Sequence, residues 1–502
     1  MACRLQIRSV PALPVPVRRS CPPGRPTRTR WLHRSSFFAS FRCAGIQLPL
    51  IIVFCYSLWF NIFLHGLAMT ARPVFLPRLT RERLIMPEFH DRDIAIASAY
   101  FRRGEADAAR EVFERVLGSD PCNVAALHGI GLCLHARGER DRAIASYLQA
   151  VALEPSAWTS WQSIADLTPD EQERRCAIDQ VADSLMAASQ TGTPSTRTIR
   201  NSVRALVCAG RSQQAVQLLH KSLGGFDDKN EAHALLASIL YALGQFEAAA
   251  HHQFLSLPKG PAATPASRKS SFEPGHAMGA LLKLCSLLET GGFRPFLVAG
   301  TLLGLVRSGS LLAHDRDIDI GLLRGDNGGK DMVDFIRTHP DLMLPHSARP
   351  GDRYVGLTVN GIAADIFVFD QTPSGMVCGF SNLPGDIQWR HTPFQLHNTR
   401  LARGMFCIPT PTETYLSECY GPGWRKPDPD FASAISSPAL HNTSPYAIAY
   451  LALARARTCL LAGNATKAAA LLQQLPRIDL PQPGSVAREA MAHTIPAIKR
   501  QT

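Results

Sequence analysis

Small residues recur along residues 88–256 at one fixed interval, and no other feature of the chain restricts its fold so strongly. Gly104, Ala109, Phe113 and Pro121 return as Gly138, Ala143, Tyr147 and Pro155, each 34 residues later. Gly210 and Ala215 return as Gly244 and Ala249 at the same interval. A unit of this length is one helical hairpin, which cannot bury its apolar face alone and must stack on its neighbours. The alanine lets the two helices approach, the aromatic ring fills the space between them, and proline follows the second helix. Gly138 and Gly210 lie 72 residues apart, so a degenerate unit with an insertion is expected between them. Gly463, Ala468 and Leu472 repeat the spacing of Gly104, Ala109 and Phe113, which predicts a further helical pair, a cap, within 441–502.

This pattern resembles the tetratricopeptide repeat. The resemblance implies an all-α solenoid over residues 86–256 whose concave surface binds a protein partner. The other reading of the same stack is a structural platform for the domain that follows.

Charge narrows the function classes. The formal net charge is +12, but residues 1–81 hold twelve Arg, no Lys and no acid. The rest of the chain carries 41 basic residues against 41 acidic and is neutral, which argues against nucleic acid as a partner of the folded part. Residues 1–85 form a separate segment, rich in Arg and Pro up to residue 43 and lacking the means to build a core. Its stretch 44–69 is apolar and long enough to cross a bilayer, so a membrane contact stays open there. The competing reading places the true start at Met69 or Met86. Thirteen cysteines without a C-x-x-C spacing fit reduced thiols and a cytoplasmic location, anchored at the membrane if 44–69 is genuine.

After a Pro/Ala/Ser linker at 257–275 and a helix-patterned stretch at 276–290, the sequence turns to strands. Residues 296–299 read as a short buried strand leading into a Gly300-Thr301 turn, 302–309 as a short helix, and 318–323 as a second strand. Asp315, Asp317 and Asp319 precede and enter that strand. Alternation puts Asp317 and Asp319 on one face and Ile318 and Ile320 on the other. Two carboxylates that close repel one another and resist burial unless a cation neutralises them. An oxygen-preferring ion such as Mg²⁺ (or Mn²⁺) does so together with substrate phosphates. Residues 353–370 read as a hairpin about Asn360-Gly361, the preferred two-residue turn, with Asp365 as an isolated carboxylate in an apolar strand that ends at Asp370. The whole pattern suggests a metal-dependent, phosphate-handling site.

The stretch AGTLLGLVRSGSLLAHDRDIDI, with its Gly-Thr step, second Gly, Arg and triple Asp, resembles the core motif of the LicD/fukutin-type nucleotidyltransferase-fold family. The resemblance extends over roughly 276–430. It implies an α+β domain with a small mixed sheet over 276–440, and hence a multidomain chain of repeat solenoid, nucleotidyltransferase-fold domain and C-terminal helical pair. Members of this family move a phosphorylated alcohol, phosphocholine or a polyol phosphate, from a CDP-linked donor to a glycan acceptor. Carried onto this sequence, Asp317, Asp319 and Asp365 hold Mg²⁺ (or Mn²⁺), and Asp365 is alternatively the base for the acceptor hydroxyl. Gly300, Thr301 and Gly304 cradle phosphates, Arg307 adds charge-assisted bonds, and Asp315 supports the cluster. Arg316 departs from the family pattern, which has an acid or neutral residue there. Residues 389–424 resemble the family's closing segment, with Thr412 as a helix cap and Trp424, Arg390, His391 and Lys426 as weaker ligand candidates. Two other readings remain: a binding scaffold with an idle transferase-like domain, and a nucleotide-sugar glycosyltransferase.

Overall fold

The computed structural model describes residues 87–475, apart from 192–193, 259–271, 340–341, 343 and 403. The stretch 44–69, both candidate starts and the tail beyond 475 lie outside the described residues. No helix among the described residues is long and apolar enough to cross a membrane. The nine described cysteines are all free thiols.

Among the described residues five helical pairs come first: α1 (Pro87–Arg102) with α2 (Ala106–Ser119), α3 (Val124–Ala136) with α4 (Arg140–Leu153), α5 (Trp158–Leu167) with α6 (Glu171–Gln190), α7 (Thr196–Cys208) with α8 (Ser212–Ser222), and α9 (Lys229–Ala242) with α10 (Phe246–Leu255). Gly104, Gly138, Gly210 and Gly244 each take a φ between 73° and 83°, the left-handed turn inside a pair. Ala109, Ala143, Ala215 and Ala249 are completely buried, as close helix contacts require. The degenerate unit is α5/α6. Its turn, Thr168-Pro169-Asp170, has no glycine, and the Asp170 carboxylate instead caps α6 by accepting from the Glu173 N–H at 2.8 Å. The 20-residue α6 accounts for part of the extra length between Gly138 and Gly210.

The sheet domain follows. Helix α11 (Pro274–Thr290) starts inside the stretch expected to be linker, because Glu273 accepts from the N–H groups of Gly275 (2.9 Å) and His276 (2.7 Å). The remaining elements in chain order are β1 (Phe296–Leu297), α12 (Ala299–Ser308), β2 (Asp317–Leu323), α13 (Met332–Thr338), β3 (Tyr354–Val359), β4 (Ile362–Thr372), β5 (Gly375–Gly379), β6 (Gln388–His391), β7 (Gln395–Leu401), β8 (Gly404–Thr410), α14 (Thr412–Tyr420) and α15 (Ser433–Ser436). The mixed sheet runs β6-β5-β4-β2-β1-β8-β7, with β3 also on β4. Strands β2 and β4 are parallel, and β1 is antiparallel to β2. Leu281, Leu284 and Leu288 of α11 share one core with Ile318, Ile320 and Ile366 of the central strands. The β3–β4 hairpin turns at Asn360 (φ 50°) and Gly361 (φ 77°), as the sequence predicts. Strand β4 does not stop at Asp370. It continues to Thr372, and Asp370 is held by Arg324 and by Arg353 at 2.9 Å. Thr412 is the first helical residue of α14 rather than its cap, and its hydroxyl donates to the Pro409 carbonyl at 2.7 Å.

The C-terminal pair, α16 (Pro445–Leu461) and α17 (Ala465–Leu472), is not a free-standing unit. Ala449, Ala452, Leu453 and Ala456 share a core with Ala250 and Leu257, and the Tyr450 ring stacks on Tyr241 at 4.4 Å. It is a further repeat of the same stack, so the sheet domain is inserted between two neighbouring repeats.

The inserted domain is fastened to the turn edge of the repeats. Arg174, 3% exposed at the start of α6, donates to the His346 carbonyl (2.9 Å), the Ala348 carbonyl (2.8 Å) and both oxygens of Glu171. Glu171 also pairs with Arg337 at 3.0 Å. Arg349 donates to the Cys208 carbonyl, the His346 ring pairs with Asp166, and the Tyr241 hydroxyl donates to Asp386. The nearby Asp166 carboxylate raises the His346 pKa against the opposing effect of burial. Removing a partner from a buried ionic network costs far more than a surface pair is worth. Arg174→Ala is therefore expected to lower unfolding stability by about 3 kcal/mol, read from urea unfolding of the full chain. A loss below about 1 kcal/mol, the worth of an exposed pair, would contradict this account of the junction.

Candidate functional site

Strands β2 and β4 bring the acidic residues together. Ile318 and Ile320 are fully buried in the core, while Asp317 and Asp319 leave the opposite face of β2. The parallel register sets Asp319 directly beside Asp365. Asp315, just ahead of β2, folds back over the same point. Ligand oxygens of Asp315, Asp317 and Asp319 all lie within 4.8 Å of one another. Asp315, expected only to support the cluster, is thus a full member of the tightest triad, with Asp365 as its neighbour on the next strand.

Gly300 and Thr301 do not form an isolated turn. They open helix α12, after Ala299 with its left-handed φ of 43°. The Thr301 N–H donates to Asp319 Oδ2 at 3.3 Å, and the Asp319 N–H donates to the Thr301 hydroxyl at 2.7 Å. Thr301 is buried, with its N–H donating to Asp319 and its hydroxyl oxygen accepting from the Asp319 N–H. A Cβ on Gly300 would stand 2.5 Å from Asp315 Oδ2 and 3.2 Å from Asp319 Oδ2, so only glycine lets these carboxylates lie against the helix start. Gly304 has a packing role: a Cβ there would meet the Ser310 carbonyl at 2.8 Å. Arg307 is half-buried and donates to the Trp424 carbonyl at 3.2 Å, tying the closing segment to α12. Trp424 itself is buried under Arg425, and His391 is buried 3.4 Å from Glu418, so neither is a ligand group.

The electrostatics follow from crowding. Burial, then the Asp317 charge, pushes Asp315 up to about 6. Burial and Asp317 raise Asp365 to about 6 as well, against a lowering by the Tyr354 hydroxyl, which donates to Asp365 Oδ1 at 2.9 Å. Asp319 is raised well above the ordinary carboxylate range by burial and by Asp317, Asp315 and Asp365. Asp317 is raised by burial while Arg455 and Arg316 pull it back down. Arg455, on α16, belongs to a repeat helix far from the motif in sequence, which is why sequence reasoning missed it. Tyr354 was legible in principle. A two-residue turn at Asn360-Gly361 dictates that Gly356 faces Asp365 and Tyr354 faces Phe367.

All four donors are carboxylate oxygens, the set that hard divalent ions take. The accumulated negative charge of oxygens held this close together fits such an ion.

These shifts give a pH dependence. Asp315 and Asp365 titrate near 6 when folded and near the ordinary 3.8 when unfolded, so the folded chain binds more protons between those values. In EDTA, the stability that these two carboxyls contribute is fully present below about pH 4, is lost as pH rises from there through 6, and is level above that. At pH 7.5 in EDTA, Asp319→Asn is expected to unfold at a higher temperature than wild type, by roughly 2–4 °C per kcal/mol of repulsion relieved. Thermal unfolding across about pH 3.5–8 checks both, and a lower melting temperature for the variant at pH 7.5 would contradict the second.

Two regions of the chain match known families. Residues 94–157 and 201–265 match the tetratricopeptide repeat, leaving out the glycine-free α5/α6 pair, and residues 292–380 match the LicD/FKTN/FKRP nucleotidyltransferase domain. No curated protein matches the chain. Similar solved structures include a thermophilic tetratricopeptide-repeat protein of Thermus thermophilus, at 17% identity over 33% of this chain and 89% of that one, with a TM-score of 0.25. PilF of Pseudomonas aeruginosa is similar at 20% identity over 40% and 85% of the two chains, with a TM-score of 0.27. The chain thus carries tetratricopeptide repeats, a protein-interaction module, joined to a nucleotidyltransferase domain of the LicD/FKTN/FKRP family, a transferase domain of the glycan-modifying type.

Proposed function

We propose that the carboxylate cluster transfers a phosphorylated alcohol, phosphocholine or a polyol phosphate, from a CDP-linked donor to a glycan hydroxyl. The observation that carries this reading is the register of β2 and β4, which sets Asp365 beside Asp319, whose carboxylate clusters with those of Asp315 and Asp317. Asp317, Asp319 and Asp365 would hold Mg²⁺ (or Mn²⁺). Such an ion, when bound, neutralises charge on the donor diphosphate and on the departing nucleotide. The start of α12 at Gly300 and the Arg307 guanidinium are the groups for phosphate oxygens, since Thr301 and Gly304 serve the fold. The acceptor oxygen forms a bond to the donor phosphorus, the bond to CMP breaks, and CMP leaves with the electron pair. Asp365 or Asp315, both raised to about 6, would take the acceptor's proton. The repeats would present a protein partner that delivers or organises the acceptor.

Incubation of the full chain with a panel of CDP-linked alcohols, Mn²⁺ and glycan acceptors, with detection of released CMP, tests this. Asp317→Ala and Asp319→Ala are each expected to cut release by more than ~100-fold, the upper end of what outer partners of a ligand cost, without unfolding the chain. Turnover of UDP-sugars in place of CDP-alcohols would assign a glycosyltransferase. Absence of any nucleotide binding would leave a repeat scaffold with an idle domain.

A further inference from the structure

We infer that Tyr354 is a positioning residue, whose phenol fixes the carboxylate of Asp365 at the edge of the site. The hydroxyl donates to Asp365 Oδ1 at 2.9 Å, leaving Oδ2 as the atom for a cation. The ring cannot swing away easily. Its centroid lies 5.2 Å from that of Phe367 and 5.3 Å from that of Phe380, and both those rings stand edge-on to Trp389. Gly356 faces Asp365 across the β3–β4 pair. A Cβ there would lie 3.1 Å from the Tyr354 oxygen and 3.3 Å from Asp365 Oδ1, so the missing side chain leaves the hydrogen bond its room. The start of β3 is itself held, because the Val368 N–H donates to the Arg353 carbonyl at 2.7 Å and Arg353 pairs with Asp370 at 2.9 Å.

The choice of a phenol has a physical reason. A neutral O–H orients a carboxylate without cancelling the charge that a cation needs, whereas an Arg or Lys would compete with the ion. Outer partners of metal-holding groups commonly change affinity 10–100-fold when removed. The inference rests on the reading of Asp365 as a metal-holding residue.

The test is Mn²⁺ binding to the full chain, followed by electron paramagnetic resonance, for wild type, Tyr354→Phe, Asp365→Asn, the double variant and Gly356→Ala. Tyr354→Phe keeps the ring and is expected to weaken Mn²⁺ about 10-fold with an unchanged melting temperature. The double variant should bind no more weakly than Asp365→Asn alone, because the phenol acts only through that carboxylate. Wild-type affinity in Tyr354→Phe, or losses that add fully in the double variant, would overturn the inference while leaving the metal reading intact. Failure of wild type to bind Mn²⁺ would overturn both. If Tyr354→Phe does not fold, Gly356→Ala carries the test. It should weaken Mn²⁺ by crowding the same hydrogen bond, and unchanged affinity there would overturn the inference.

Discussion

Repulsion among four buried or half-buried carboxylates is the constraint to which the rest of this structure answers. Burial raises the pKa of Asp315, Asp317, Asp319 and Asp365 and is the largest cause in every case, and neighbouring carboxylates add to it at Asp315, Asp319 and Asp365. A fold does not keep such a cluster for its own stability. What keeps it in place is backbone geometry: the parallel β2–β4 register, the helix start at Gly300 and the two-way hydrogen bonding between Thr301 and Asp319. Under the proposed function, a cation and a phosphorylated substrate would relieve that repulsion.

The repeats contribute more than a partner surface. Arg174 and Asp166 grip the segment 346–349, only a few residues before β3, and β3 carries Tyr354 to Asp365. Helix α16, a repeat helix by its packing, carries Arg455 close enough to lower the pKa of Asp317. The sheet domain is therefore embedded in the solenoid, with repeat helices before and after it in the chain. The platform reading is met at the turn edge, which is used within the chain, and it leaves room for the protein-interaction role that tetratricopeptide repeats suggest.

Much of this was legible from the residues. The 34-residue interval located the alanine contacts and the left-handed turns, because both depend on side-chain size and backbone sterics that the sequence states directly. The alternation of Asp317 and Asp319 with Ile318 and Ile320 located the two faces of β2, since strand periodicity is fixed. What escaped was nonlocal. Gly304 and Thr301 resemble phosphate-cradling residues in the motif, yet their surroundings, the Ser310 carbonyl and Asp319, are set by how α12 packs. Arg455 could not be assigned because nothing local links a repeat helix to a strand more than a hundred residues earlier. The α5/α6 pair escaped the repeat interval because Asp170 supplies the helix start that glycine turns help to set elsewhere.

The most direct measurement is the anomalous scattering of crystals of the full chain soaked in Mn²⁺. The predicted result is a peak bound by the oxygens of Asp317, Asp319 and Asp365, against the start of α12 at Gly300. A map with no peak there, or with Mn²⁺ bound only elsewhere on the surface, would contradict it.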